Sequence, residues 1–305
     1  WYLSLYDFLA VKTIDQSTSE VLMKKPVIAM LIVLFLSTLA CSLQGTSYET
    51  IEPQIIFIDE DLPQTEQIAE LVFKMSGGKF IITPGADGLV NGTIKFNVEQ
   101  FAPQFVRKDG YFEIKPSKPI HIKTFPFKEY ENTWELGITK NIPLKLTVEG
   151  GASENNFDFS GLKLTNLDIS QGASETKIYF NQPNLEVIES FSLKTGASST
   201  KIFGLGNANI KFLSVSSGAG DYTLDFSGNL SQDMDVNIKA GVSNFTIIIP
   251  PETLAVIHNN GAVTNINTKG TWLVSDNTYS TLNEGFLLTI NLNMGVGNVN
   301  LYHEK

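Results

Sequence analysis

The chain has 305 residues, of which 42% are hydrophobic and 18% are charged, and its formal net charge at pH 7 is −10. This composition is typical of a folded protein with a substantial core, so broad disorder is excluded. Arg107 is the single arginine among 22 basic residues, and there is no lysine cluster beyond the N-terminal region. A nucleic-acid-binding surface is therefore not expected.

The N-terminal region predicts export. Residues 1–22 show no relation to the rest of the chain, and we interpret them as an upstream extension before a true start at Met23. Lys24 and Lys25 then precede an apolar run that ends at Ala40. About 15 apolar residues are too few for a comfortable membrane span but suit a secretory signal. We therefore assign 23–40 as a signal segment.

Cys41, the only cysteine, stands where the apolar run stops. This arrangement resembles a bacterial lipoprotein signal, in which the cysteine thiol carries the lipid. Thr38 departs from that pattern, which usually has leucine three positions before the cysteine. The alternative is an ordinary cysteine in an uncleaved membrane anchor. We predict lipidation at Cys41 and an exported protein held on the outer face of the cell membrane or in a bacterial outer membrane.

After Cys41 the chain divides into three further segments. Residues 41–65 are polar and acidic and predict a tether, although a short strand at Ile55–Ile58 docked on the folded part is the alternative. Residues 66–140 predict an N-terminal β section. Residues 141–305 predict a repetitive β-stack.

A glycine followed by a small residue recurs through the repetitive segment, between runs of alternating apolar and polar residues. Successive glycines are 21, 24, 22, 23 and 20 residues apart. Such a period indicates stacked supersecondary units. The glycines are Gly151, Gly172, Gly196, Gly218, Gly241 and Gly261, and the same turn is predicted at Gly77, Gly78 and Gly295.

One unit, Leu167–Phe180, shows the period of two typical of a half-buried strand on each side of Gly172. We expect glycine at this bend because it reaches positive φ without a Cβ clash, and we expect the small residue after it to let neighbouring layers approach closely. A second turn, at Phe159–Gly161, leads to the next unit, and the stretch from Trp272 to Gly285 is expected to cap the last layers. The predicted fold is an all-β, β-solenoid-like stack of two-strand layers of roughly 22 residues each, with an antiparallel β-sandwich as the alternative.

The motifs resemble those of the bacterial toast-rack family and of the C-terminal domain of LiaF-type cell-envelope proteins. The resemblance covers roughly 66–302 and, before Trp134, includes Asn97-Val98-Glu99. It implies an all-β stack displayed at the bacterial envelope, with no established catalytic residues. LiaF-type proteins restrain a system that senses envelope damage, so a link to the envelope stress response is also implied. The main motifs are Trp134-Glu135-Leu136, Ile142-Pro143-Leu144-Lys145-Leu146, Phe159-Ser160-Gly161-Leu162 and Ile249-Pro250-Pro251-Glu252.

The sequence offers little catalytic chemistry. Some β-solenoids cleave polysaccharides with clustered carboxylates, and carboxylates aligned on successive layers can also bind calcium. The aspartates here, however, occupy the alternate strand positions whose side chains are expected to face solvent. The histidines are far apart and lack zinc-ligand spacing. We expect no enzyme activity, no catalytic residues, no cofactor and no metal. The residues considered were Asp158, Asp168, Asp221, Asp225, Asp233, Asp235, His121, His258 and His303.

Aromatic residues in connecting segments offer a different kind of site. Trp134, Trp272 and Tyr279, with Tyr130, either form a binding patch or cover the ends of the core. The leading hypothesis is a non-catalytic, lipid-anchored envelope protein that acts as a rigid interaction or display scaffold. The partners expected are the membrane, through the lipid, and an envelope protein or glycan. An adhesin or glycan-binding module is the alternative, and a polysaccharide hydrolase or lyase comes third.

Overall fold

The computed structural model describes residues 48–65, 68–118 and 130–303, without the side chains of residues 263 and 264. The predicted extension 1–22, the signal segment 23–40, Cys41 and His121 lie outside the described residues. No helix in the described ranges is long and apolar enough to cross a membrane.

The described residues form sixteen strands and two single 3-10 turns, the latter at Glu99–Phe101 and Leu205–Asn207. The strands are β1 (Thr50–Glu60), β2 (Ala69–Ala86), β3 (Val90–Val98), β4 (Pro103–Lys108), β5 (Tyr111–Pro116), β6 (Asn132–Thr139), β7 (Leu144–Asp158), β8 (Leu164–Tyr179), β9 (Ser190–Phe203), β10 (Phe212–Asp225), β11 (Met234–Ile249), β12 (Leu254–Asn259), β13 (Val263–Gly270), β14 (Leu273–Ser275), β15 (Thr278–Ser280) and β16 (Leu287–His303).

The predicted β-solenoid-like stack is confirmed. Strands β2, β7, β8, β9, β10, β11 and β16 pair in that order, and every one of these pairs is parallel. Equivalent residues of successive repeats face one another, as Leu167 faces Phe191 and Phe191 faces Leu213. Consecutive parallel strands of this kind exclude the antiparallel sandwich.

Each layer turns a corner at its glycine. Leu167 and Ile169 are buried before Gly172, whereas Ile178 and Phe180, of the opposite parity, are buried after it. The Thr176 hydroxyl donates a hydrogen bond of 2.6 Å to Oε1 of Gln171. In a straight strand these two residues would be about 16 Å apart. The chain therefore bends, and the two halves of each layer form two walls around a shared core.

The corner needs glycine for a different reason from the one expected. The six corner glycines from Gly151 to Gly295 do not have positive φ. A Cβ atom on Gly196 would instead lie 2.8 Å from the carbonyl oxygen of Gly172, the corner residue of the preceding layer. Close approach between layers is therefore the constraint. The corner glycines are Gly151, Gly172, Gly196, Gly218, Gly241 and Gly295.

Three predicted turn glycines stand outside this column. Gly77 pairs with Ala152 and Gly78 pairs with Ser153, so Ser76 is the residue that faces Gly151. Val263 pairs with Val296, which leaves Ala262 beside Gly295 and moves Gly261 one residue away. Gly78 does have a positive φ, of 123°, which suits glycine.

The core between the walls is apolar and aromatic, with a polar strip near the corner. Phe80 packs edge-on against Phe157, with ring centroids 5.3 Å apart. Nearer the corner, the buried hydroxyl of Tyr222 lies 2.6 Å from Oγ1 of Thr195 and 2.7 Å from Oγ of Ser198. These contacts satisfy buried hydroxyls that would otherwise destabilise the stack.

At the N-terminal end, an antiparallel extension of the sheet includes part of the predicted tether. Strand β1 pairs with β3 and β3 pairs with β6, so 41–65 is not a tether throughout. Ile58 is 4% exposed and anchors β1 on the core. The alternative, a docked strand at Ile55–Ile58, is therefore correct. Burying the apolar side chain of Ile58 lowers the free energy of the folded chain, because it removes apolar surface from water.

At the C-terminal end, the stack does not follow chain order. Strand β16 lies between β11 on one side and β12 and β13 on the other. The β14–β15 hairpin pairs with β12 through β15 and ends that wall. This antiparallel hairpin lies within 272–285, the stretch that the sequence predicts to cap the last layers.

Candidate binding surfaces

A shallow groove of about 690 Å³ runs along the outside of the stack, beside the glycine corner. Its floor crosses five successive layers, since Ser170, Lys194, Ser216, Lys239 and Asn293 occupy one register position. A second groove of about 310 Å³ shares Ser170 and continues toward the N-terminal layers. The other residues that line the first groove are Gln171, Thr195, Ser217 and Ala240.

Two lysines give the groove its charge. Lys194 and Lys239 lie two layers apart, which separates their Cα atoms by about 9 to 10 Å, with Ser216 between them. Neither lysine forms an ion pair with a described carboxylate. On a protein of net charge −10, the groove thus combines unpaired positive charge with hydroxyl and amide groups.

The groove also borders an unsatisfied polar group. Gln171 is 5% exposed, and its Nε2 has no hydrogen-bond partner among the described residues. Its Oε1 accepts from Thr176. A buried amide donor without a partner costs free energy, so this position favours an ordered water or a ligand oxygen.

The aromatic residues chosen from the sequence do not form one patch. Trp134 is 1% exposed and packs on Phe80, with its Nε1 donating to Asn132 at 3.0 Å. Trp134 is therefore a core residue, so of the two alternatives given for it the binding patch is excluded and the core position is the one it occupies. Trp272 is half-buried against His303, at a ring distance of 5.5 Å, and Tyr279 is half-buried in β15.

The aspartates have structural contacts and do not converge. Asp158 accepts a hydrogen bond from the Ser160 amide at 3.0 Å, and Asp225 accepts one from the Ser227 amide at 2.8 Å. Both therefore close the turn that leaves their strand. They share one register position three layers apart, about 14 Å, which is too far for two carboxylates to share a proton or a cation.

Other aspartates and the two described histidines are equally dispersed. Asp233 accepts from the Leu287 amide at 2.9 Å, and Asp168 and Asp235 are exposed. His258 lies 3.2 Å from the Thr278 hydroxyl, whereas His303 contacts the carbonyl oxygens of Thr271 and Pro251. Within the described ranges, no three His, Cys, Asp or Glu residues lie together as a metal site.

One buried carboxylate is embedded in positive charge. Glu113 on β5 is 3.2 Å from Nζ of Lys115 and 3.5 Å from Nζ of Lys74. Burial acts to raise the pKa of Glu113, but the hydrogen bond from Lys115 and the charges of both lysines outweigh it and lower that pKa. Burial, with Glu113 and Glu70 nearby, raises the pKa of Tyr111. These contacts join β2 to β5 and lie within the N-terminal section.

An exposed ladder of side chains crosses the other wall. The Asn244 amide donates to Asp221 at 2.8 Å, and the Asn298 amide donates to Asn244 at 2.9 Å. Asn265 extends the ladder to Asn298 at 3.4 Å. Four strands thus display one hydrogen-bonded row, whose members hold one another in fixed orientations.

Sequence reasoning missed both the lysine groove and this ladder. Alignment of the repeats on their glycines was the signal that would have found the lysines, since Lys194 and Lys239 each stand two residues before a corner glycine. The ladder has a similar signature, because Asp221, Asn244 and Asn298 each stand three residues after one.

The aligned parallel layers define an all-β protein of the solenoid-like class. The profile of the family described as the N-terminal domain of toast_rack, DUF2154, matches residues 44–190 and 182–248. The chain belongs to this toast-rack family. A comparison with curated proteins gives no match.

Solved structures of bacterial proteins resemble the chain at low sequence identity. A candidate cell adhesion protein from Clostridium sporogenes is 18% identical, with a TM-score of 0.48 over 84% of this chain and 100% of that one. A candidate adhesin from Bacteroides fragilis is 13% identical, with a TM-score of 0.32 over 84% and 98%. A candidate lipid binding protein from Parabacteroides distasonis is 12% identical, with a TM-score of 0.35 over 81% and 96%.

Proposed function

We propose that this protein is a non-catalytic scaffold of the bacterial cell envelope, lipid-anchored at Cys41, whose outer walls bind another envelope component. The observation that carries the scaffold role is the ladder from Asp221 through Asn244 and Asn298 to Asn265. Polar groups fixed in a row bind a partner with little loss of conformational entropy. The sequence from Met23 to Cys41 supports the anchor.

The anchor is tested by metabolic labelling with a fatty-acid analogue in a bacterial host. The wild-type chain should be labelled and sediment with membranes, whereas Cys41→Ser should lose the label and appear in the soluble fraction. Ser42→Ala is the matched control and should behave like the wild type. Labelling of Cys41→Ser at the wild-type level would refute the anchor.

Display on the outer face is tested with a membrane-impermeant maleimide on intact cells. Once Cys41 carries lipid, the introduced thiol of Asn244→Cys is the only free thiol, because the chain has no other cysteine. This exposed position should react in intact cells. Reaction only after lysis would contradict an outward location.

Recognition of an acidic glycan is a second candidate function, supported by the groove with Lys194 and Lys239. Polygalacturonate should bind and lose affinity as salt is raised, while uncharged dextran should not bind. Lys194→Gln with Lys239→Gln should abolish binding, whereas Lys201→Gln, an exposed lysine on the opposite wall, should retain it. Equal binding by all three proteins would exclude the groove.

A link to the envelope stress response is the most specific form of the proposal. It is supported only by the resemblance to LiaF-type proteins. Deletion of the gene should change the induction of an envelope-stress reporter by a cell-wall antibiotic. An identical response in the deletion strain would rule this link out.

A further inference from the structure

We propose that the open edge of β1 binds an extended, basic and apolar segment of a partner protein, which adds a strand to the sheet. Strand β1 ends one wall of the stack, and among the described residues it pairs only with β3. Its second edge therefore presents backbone N–H and C=O groups that a further strand can pair with.

The available edge is regular. From Gln54 to Glu60 the pairing with β3 is continuous, and the register shift is confined to the stretch between Thr50 and Gln54, which contains Pro53. The regular part spans seven residues, about 23 Å of strand. A partner segment of similar length would find an unbroken row of hydrogen-bonding groups.

Two neighbouring outward side chains at the middle of this edge are apolar. Phe57 is 80% exposed and Ile55 is 54% exposed, whereas Ile58, of the opposite parity, is buried. An exposed aromatic and an exposed β-branched residue at alternate positions are what a neighbouring strand covers with its own side chains. Covering them would remove apolar area from water, which favours association.

The negative charge at this edge favours a partner segment with positive charge. Glu49, Glu52, Asp59 and Asp61 are exposed and form no ion pair with described residues. Only Glu60 is neutralised, by Arg107 at 2.6 Å. Lysine or arginine residues in the added strand would therefore complement the flanks of the apolar pair.

A second copy of the chain fits this edge poorly. Two copies of this edge can pair antiparallel only in a register that places residues of the same parity opposite each other. Centred on Ile56, such pairing would place Glu52 of one copy opposite Glu60 of the other and bring Asp59 next to the second copy's Glu52. Like charges directly opposite each other destabilise strand pairing. The acidic flanks thus favour a basic partner over self-association.

The test uses the full chain in detergent micelles and two acetylated probe peptides, Lys-Val-Lys-Ile-Lys-Val-Lys and its twin with Glu in place of Lys. The basic peptide should bind at least about tenfold more tightly than the acidic twin, and its affinity should fall as salt is raised. Hydrogen exchange of the β1 amides should slow when the basic peptide is added.

The variant Ile55→Lys with Phe57→Lys should lose binding of the basic peptide, because it removes the apolar contacts and repels the probe. Val242→Lys, at another exposed apolar position, should retain it. Unfolding curves check that both variants fold. The proposal is overturned if the double variant binds as the wild type does, if the acidic twin binds equally, if β1 amides are already fully protected without peptide, or if sedimentation shows dimers that the double variant abolishes.

Discussion

Each corner glycine lies against the carbonyl oxygen of the corner residue in the layer before it. For Gly196 an added Cβ atom would be 2.8 Å from that oxygen, and for Gly218 it would be 2.7 Å. The clash is with backbone, which cannot rotate away. The residue directly after each corner glycine can carry a larger side chain, because this position is exposed. It is occupied by Ala197, Ala219 and Val242 in three successive layers.

Gly196→Ala should therefore destabilise the protein by about 1 to 3 kcal/mol, because the added methyl group forces two layers apart. Urea unfolding followed by circular dichroism measures the change. Ala197→Val is the matched control and should change the free energy of unfolding by less than about 0.5 kcal/mol, because Val242 already occupies its register position. Equal stability of Gly196→Ala and wild type would contradict the packing role of the corner.

Glu113 should make stability depend on pH in a defined direction. Its pKa is lowered in the folded protein, so its charged form stabilises the fold above the unfolded-state pKa, and this contribution is lost as pH falls through the folded value. Glu113→Gln should be less stable than wild type at pH 7, by less than about 1 kcal/mol, because both lysine partners are partly exposed.

The difference in the free energy of unfolding between wild type and Glu113→Gln should shrink as the pH falls below the ordinary carboxyl value of 4.5. Denaturant titrations at a series of pH values measure it. Glu149→Gln is the control, since Glu149 is half exposed and lies 3.7 Å from Lys74. A difference that stays constant down to the lowest pH would show that Glu113 does not carry the effect.

Among the elements, β16 has a position that the order of the chain hides. On one side β16 pairs with β11 along nearly its whole length. On the other side its first half pairs with β12 and its second half pairs with β13. A chain that ends after Gly285 should therefore lose ordered structure in β12 and β13, while β7–β9 keep theirs. Limited proteolysis with mass spectrometry should locate the first cleavages between Pro250 and Gly285. Protection of that stretch in the shortened chain would contradict the assignment.

Periodic elements could be predicted from the sequence, and non-local ones could not. The spacing of Gly151, Gly172 and Gly196 predicts the layers, because each layer repeats the same local pattern and neighbours directly on the next. The pairing of Gly241 with Gly295 joins residues 54 positions apart, and nothing between them marks it. For β1 the sequence leaves two alternatives, because its acidic and proline-containing residues are typical of a tether whereas Ile55–Ile58 can form a docked strand. The burial of Ile58, which depends on residues distant in sequence, decides for the strand.

Of the candidate binding surfaces, the one built on repeated positions could be predicted from the sequence, and the one built on connecting segments could not. The exposure of an aromatic residue depends on contacts distant in sequence, so the sequence leaves Trp134 open between a binding patch and the core, and its contact with Phe80 decides for the core. The position of Lys194 above Lys239 follows from the repeat register alone. A site built from equivalent positions of successive layers is therefore predictable from an alignment of the repeats, whereas a site in the connecting segments is not.

At the scale of the whole molecule, stability depends on contacts between neighbouring layers. The inner strands of the stack, such as β8, β9 and β10, each pair with a strand on both sides. Strands β1 and β14 end the sheet and pair on one side only among the described residues. In such a stack the local free energy of opening falls from the middle toward the ends.

Native-state hydrogen exchange should therefore show a gradient along the stack. Amides of β8, β9 and β10 should exchange slowest, and those of β1 and β14 should exchange fastest. Gly196→Ala, at the corner of β9, should speed exchange most in β8 and β9, because its clash lies between those two layers. Ala197→Val should leave the gradient unchanged. If all strands exchange at one rate in the wild type, and Gly196→Ala accelerates them equally, the stack opens as a single cooperative unit and the nearest-neighbour description fails.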